Sequence, residues 1–170
     1  LLRPMEPDQS APEPANTLAT PAMLSRTMLV SVIVALAALA AYANSFRGPF
    51  VFDDVSSIPE NATIRSLTQA WWPPSGAAAG GLSVAGRPVL NFTLGLNYAI
   101  SELNPWSYHA LNLAIHILAG LTLFGLLRRT FLRPLLADRF GEKAWPLAAA
   151  IAVLWTLHPL QTEAVTYIIQ

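Results

Sequence analysis

Tyr108-His-Ala-Leu-Asn-Leu-Ala-Ile-His-Ile-Leu-Ala-Gly-Leu-Thr-Leu-Phe-Gly-Leu-Leu127 carries no charge and closes on Arg128-Arg129. A helix that crosses a bilayer needs about 20 apolar residues, with about 17 as the practical minimum. This stretch therefore predicts a membrane span over 108–127. Thr27 to Ala43 is also uncharged and sits at the minimum length. From Trp145 the chain stays apolar to Leu157 and reaches spanning length only through His158-Pro159-Leu160. The expected fold class is an all-α integral membrane protein, a polytopic helical bundle with spans near 27–43, 108–127 and 145–160.

Composition agrees. Hydrophobic residues make up 54% of the chain and charged ones 12%, a charge content low for a soluble domain. The absence of cysteine excludes disulfides and thiolate metal sites. A formal net charge of zero offers no basic field for nucleic acid. The 27–43 core is longer than the about 7–15 residues of a cleaved signal peptide and reads as an uncleaved anchor. Residues 1–26 carry Pro4, Pro7, Pro12, Pro14 and Pro21 among Glu, Asp, Ser and Ala, the composition of a disordered tail.

Basic residues flanking spans stay cytoplasmic. The 128–144 connection holds Arg128, Arg129, Arg133, Arg139 and Lys143 against Asp138 and Glu142, whereas the 44–107 loop holds Arg47, Arg65 and Arg87. The short connection is thus expected inside, the long loop outside, and the amino terminus with Arg26 inside. The third span then rises to the outer face and delivers His158 and Glu163 to the surface that carries Asp53 and Asp54.

The external loop has features of its own. Trp71-Trp72-Pro73-Pro74 reads as an interfacial anchor, and Ser75 to Gly81 as a flexible stretch. Apolar residues at 89, 92, 96 and 100 suit a helix lying in the interface, with Pro88 in its first turn. Asn61-Ala-Thr63 and Asn91-Phe-Thr93 fit the outward-facing glycosylation acceptor pattern, a match frequent by chance.

Asp53 and Asp54 sit between Phe50-Val51-Phe52 and that tryptophan pair. One carboxylate suits a general base and the other a binding role; Asp54 is slightly preferred as the base, though the residues do not choose between them. Arg87, at the start of the interfacial helix, suits a lipid-linked phosphate, and equally an arginine snorkelling to headgroups. His109, Asn112 and His116 share one face of the second span. For His116 a packing role, hydrogen-bonded to a neighbouring helix, is the better reading; His109, nearer the surface, suits either packing or function. Beyond Pro159, Leu160, Ala164, Tyr167 and Ile168 form the apolar face of an expected amphipathic helix that turns Glu163 to water or substrate. No His-carboxylate spacing matches a known metal box.

Asn44-Ser-Phe-Arg-Gly-Pro-Phe-Val-Phe-Asp-Asp54 resembles the first-loop motif of the transmembrane and tetratricopeptide-repeat mannosyltransferases. So do Gly86-Arg-Pro-Val-Leu90, Leu96-Asn-Tyr98, Asn104-Pro-Trp-Ser-Tyr-His109 and His158-Pro-Leu-Gln-Thr-Glu-Ala-Val165, in order along the chain. The resemblance implies a GT-C type membrane glycosyltransferase that takes a mannose-like sugar from a polyprenyl-phosphate carrier. The acceptor would be a protein Ser or Thr, or another glycan hydroxyl. One of Asp53 and Asp54 would be the base of an inverting attack, and Arg87 or His158 would meet the leaving phosphate, with His109 and Glu163 as further substrate-binding candidates. Metal dependence varies among such enzymes, so no cofactor is carried over, although a divalent metal fits the chemistry. The site would face the periplasm of a plasma membrane, or the lumen of the endoplasmic reticulum in a eukaryote. Such enzymes have roughly nine or more spans followed by repeats, so an amino-terminal piece, inactive alone, is the expectation. The competing expectation is a membrane scaffold or transporter portion whose path is lined by Asn112 and His116.

Overall fold

The computed structural model describes residues 21–75 and 82–169. The expected tail before Pro21 and the flexible stretch over 76–81 lie outside the described residues. The first helix, α1 (Pro21–Tyr42), runs into a 3-10 turn over Ala43–Arg47. Residues 21–26, expected in the tail, are therefore helical; the fixed φ of proline suits a first turn. The long loop folds into α2 (Asp53–Ser57), a 3-10 turn (Ala62–Arg65), α3 (Leu67–Ala70) and α4 (Pro88–Ser101). Then come α5 (Trp106–Phe131), α6 (Pro134–Phe140), α7 (Ala144–Thr156) and α8 (Thr162–Thr166). Among the described residues there is no strand.

Two described helices, Met23–Arg47 and Trp106–Phe131, are long and apolar enough to cross a membrane. They pack with α7 into a three-helix group. Small residues line its seams, with Ala38, Ala148 and Ala152 fully buried, while Leu29, Leu36, Leu118 and Leu126 point outward. That division is the one lipid imposes, because leucine gains nothing by leaving an apolar solvent and close backbone approach drives association. A Cβ on Gly120 would lie 2.5 Å from Thr156 Oγ1 and 3.4 Å from Val34, so the absence of a side chain sets how near α5 comes to its neighbours. Gly120→Ala is expected to destabilise the bundle by about 1–3 kcal/mol through overpacking. A lower melting temperature in detergent checks this, and an unchanged one contradicts it.

The third expected span does not form as one helix. α7 has 13 residues, about 20 Å at 1.5 Å per residue, against a hydrocarbon core of about 30 Å. Pro159 disfavours helical backbone at the residue before it, and His158 is extended with ψ 134°. The chain then continues beside α5 through a 3-10 turn (Pro159–Gln161), α8 and an extended Tyr167. Asn112 of α5 holds this segment by donating to the carbonyls of Tyr167 at 2.8 Å and Ile168 at 3.3 Å. The amphipathic helix expected beyond Pro159 is thus corrected. α8 is only five residues long, too short for a helical stripe, and Val165 is the residue it buries, while Leu160 and Ala164 stay exposed.

At the break the Thr156 carbonyl accepts from Tyr42 Oη at 3.1 Å and from His116 Nε2 at 2.9 Å. A buried carbonyl left unpaired costs about 1–3 kcal/mol, so Tyr42 of α1 and His116 of α5 repair the backbone where α7 stops. His116 also stacks on Trp155 with ring centroids 5.1 Å apart. The packing role expected of His116 is the one it has.

In the loop layer, α4 turns Val89, Leu96 and Ile100 outward and buries Asn91 and Asn97. Asn91 donates to Thr63 Oγ1 at 2.9 Å and to the Ala70 carbonyl at 2.8 Å, and accepts from Asn61 Nδ2 at 2.8 Å. Asn61 Nδ2 donates to the Ser57 carbonyl as well. Both acceptor-pattern asparagines therefore face inward, with their amides spent on stitching the loop. Expression in a eukaryotic secretory pathway is expected to leave both unmodified, so that glycosidase treatment causes no mobility shift attributable to either; a shift lost on Asn91→Gln or Asn61→Gln would contradict this.

Candidate active site

The site begins at a strained turn. Phe52 has φ 49° and ψ −118°, a region costing a residue with a side chain about 1–3 kcal/mol. From it starts α2, whose first two residues are the acidic pair. Successive residues on a helix point about 100° apart, and here one carboxylate turns in and the other out.

Asp54 turns in and is 1% exposed. Its Oδ2 accepts from the Val51 N–H at 3.2 Å and its Oδ1 from the Ile169 N–H at 2.9 Å, across a separation of 115 residues. One side chain thus joins the first loop to the segment that follows α7. Burial raises its pKa above the ordinary carboxylate value, outweighing the two amide donors and the nearby His109, which pull it down. Around it lies an apolar cluster of Ile58, Ile64, Val84, Leu94, Tyr108, Ile168 and Ile169.

Asp53 turns out. Its Oδ2 accepts from Ser83 Oγ at 2.5 Å, and it faces an open cleft of about 520 Å³ lined also by Phe52, Glu163, Tyr167 and Ile169. Glu163 comes from the first turn of α8, so two segments far apart in the sequence line one cleft here. The Ser83 contact brings the 82–87 turn beside Asp53. Arg87 closes that turn, exposed, at the start of α4.

Two expected site residues stand elsewhere. His109 is buried behind the cleft, where its Nε2 donates to the Gly48 carbonyl at 3.2 Å and its Nδ1 meets no partner. A Cβ at position 48 would lie 3.2 Å from that Nε2, so Gly48 makes the room the imidazole needs. His158 accepts from the Leu160 N–H through Nδ1 at 3.2 Å. It lines a separate apolar groove with Ile151, Leu154, Trp155, Leu160 and Gln161. Among the described residues no group of three His, Asp or Glu side chains is placed to hold a metal ion.

The cleft therefore sets an exposed carboxylate, fixed by a serine hydroxyl, near a second carboxylate and an exposed aromatic wall. Such a pair can accept a proton from a hydroxyl nucleophile and hydrogen-bond a ligand rich in hydroxyls. Sequence reasoning missed Phe52, Tyr167 and Ser83. An exposed phenylalanine before an acidic pair carried a readable signal, whereas the Ser83 and Ile169 contacts carried none.

Protein O-mannosyl-transferase TMTC3 of Mus musculus is 34% identical to this chain over 151 residues, covering 84% of the chain and 14% of that protein. Protein O-mannosyl-transferases TMTC1 and TMTC2 of the same organism are 30% identical over 146 residues and 31% identical over 149 residues, covering 82% and 84% of the chain. The chain is a relative of the TMTC protein O-mannosyl-transferases. It spans 14–16% of the length of these three relatives. No family model and no solved structure matches it. The motif resemblance and the apolar helices thus agree with the relatives on a membrane protein related to glycosyltransferases.

Proposed function

We propose that this chain forms one wall of the catalytic site of a GT-C type membrane glycosyltransferase, which moves a mannose-like sugar from a polyprenyl phosphate to a protein Ser or Thr hydroxyl. The observation that carries the reading is the cleft in which Asp53 and Glu163 meet, in a chain related to O-mannosyl-transferases. Asp53 is the base, in place of the slightly favoured Asp54, because it is exposed to the cleft while Asp54 spends both oxygens on backbone amides. The acceptor O–H bond breaks and its proton passes to Asp53. The acceptor oxygen then bonds to the anomeric carbon from the face opposite the phosphate, and the C–O bond to phosphate breaks with its electron pair on the leaving lipid phosphate. Arg87, on the turn tied to Asp53 by Ser83, supplies positive charge to that phosphate. Asp54 and His109 position the turn from behind.

The basic residues at the Arg128 end support a cytoplasmic position for that end, and with it a periplasmic or lumenal position for the cleft. A transporter path lined by Asn112 and His116 fits less well, because the Asn112 amide and His116 Nε2 are committed to backbone carbonyls. The test uses membranes carrying the full-length protein, polyprenyl-phosphate mannose and a peptide containing Ser and Thr. Mannosylated peptide is the expected product; transfer from a nucleotide sugar only, or none from either donor, overturns the reading.

A further inference from the structure

Phe52 combines three properties that packing does not explain. Its φ of 49° is a conformation glycine adopts freely and phenylalanine adopts only at a cost. Its ring is 80% exposed, so core burial does not offset that cost. One face of the ring stacks on Tyr167, with centroids 6.2 Å apart and planes inclined by 29°. The other face is left open beside the Asp53 and Glu163 carboxylates. An apolar face bordered by carboxylates is the complement of a pyranose, which has a patch of polarised C–H bonds on one side and a rim of hydroxyls. The negative face of an aromatic ring attracts those C–H bonds, and ionised carboxylates accept from the hydroxyls.

We propose that Phe52, backed by Tyr167, is the sugar-binding wall of the cleft and takes the apolar face of the donor hexopyranose. This rests on the cleft being the transfer site. The backbone strain has a use in this account: it lifts the ring out of the apolar cluster behind α2 and holds it across the opening. Tyr167 reaches the same place because Asp54 fixes the next-but-one residue, Ile169, through its amide.

The experiment measures steady-state transfer by the full-length protein in membranes, with polyprenyl-phosphate mannose and a Ser/Thr peptide. Phe52→Leu keeps an apolar side chain for any contact with the bilayer but removes the flat face; Phe52→Trp keeps the face. The expected result is a donor KM raised about ten-fold by Phe52→Leu, with kcat within about two-fold of the parent, and a donor KM close to the parent for Phe52→Trp. Tyr167→Leu, which withdraws the backing without touching the strained residue, is expected to raise donor KM by about three-fold and serves if Phe52→Leu does not insert. A parental donor KM in the leucine variants overturns the proposal, and so does a rise confined to the KM for the peptide. Asp53→Asn in the same assay separates two kinds of failure. If it transfers normally, the reading of the cleft is wrong; if it is inactive while the leucine variants keep the parental donor KM, only the sugar wall is wrong.

Discussion

Asp53→Asn in the full-length protein lowers kcat for sugar transfer by about 10³-fold, within the range for loss of a general base. Membrane insertion and melting temperature stay at parental values. The variant keeps the shape of the side chain, and the amide oxygen can still accept from Ser83, so no buried polar group loses its partner. What disappears is the capacity to hold the acceptor's proton while the glycosidic bond forms. That capacity is used in the transition state, so kcat and kcat/KM fall together while donor and acceptor KM stay near parental. Single-turnover transfer with saturating donor checks it. Parental kcat in the variant would remove Asp53 from the mechanism.

Asp54→Ala acts on the architecture instead. The substitution leaves the Ile169 and Val51 N–H groups without acceptors, and an unsatisfied buried amide costs about 1–3 kcal/mol. Relief of the buried carboxylate offsets part of this, so a net loss of about 2–4 kcal/mol is expected, read as a lower melting temperature in detergent. Transfer falls as well, because the segment that carries Glu163 and Tyr167 loses its tie to the first loop. The conservative Asp54→Asn gives a second signature. The native protein holds the Asp54 proton to higher pH than the unfolded chain does. The contribution of Asp54 to stability is therefore fully present below the ordinary carboxylate pKa and is lost as pH rises through the raised native value. The melting temperature of Asp54→Asn relative to the parent should accordingly rise over the interval from the ordinary carboxylate pKa, about 4, up to the raised native value. A difference that falls over that interval would mean the carboxylate is stabilised, not penalised, by its surroundings.

The two described helices long and apolar enough to cross a membrane were legible because a run such as Tyr108–Leu127 has few alternatives to a long apolar helix. α7 was not, because length counted in apolar residues ignores what Pro159 does to His158. Once the helix stops at Thr156, the alternation beyond it no longer follows 3.6 residues per turn, which is why Val165 is buried and Leu160 is not. The acidic pair was legible as two adjacent carboxylates in the first loop. Which carboxylate turns inward was not, since Asp54 is held in by the Ile169 amide, 115 residues away. The two acceptor-pattern asparagines show the converse: a short match describes what an enzyme can recognise on an open chain and is silent on the Asn61–Asn91 network that hides both. His158, grouped with the acids by its expected membrane side, lies at the same end of α7 yet opens onto a different groove.

The central claim is that sugar donor occupies the cleft between Asp53 and Glu163, and protection from chemical labelling tests it without relying on turnover. In the full-length protein on a background free of other accessible thiols, single cysteines are introduced as Glu163→Cys and, in a second protein, His158→Cys. Each is treated with a membrane-impermeant maleimide, with and without saturating polyprenyl-phosphate mannose. The account predicts that donor slows labelling at position 163 by about five-fold or more and leaves position 158 unchanged, a contrast set by occupancy of one cleft and not the other. Equal labelling at position 163 with and without donor, or protection at position 158 alone, would contradict it.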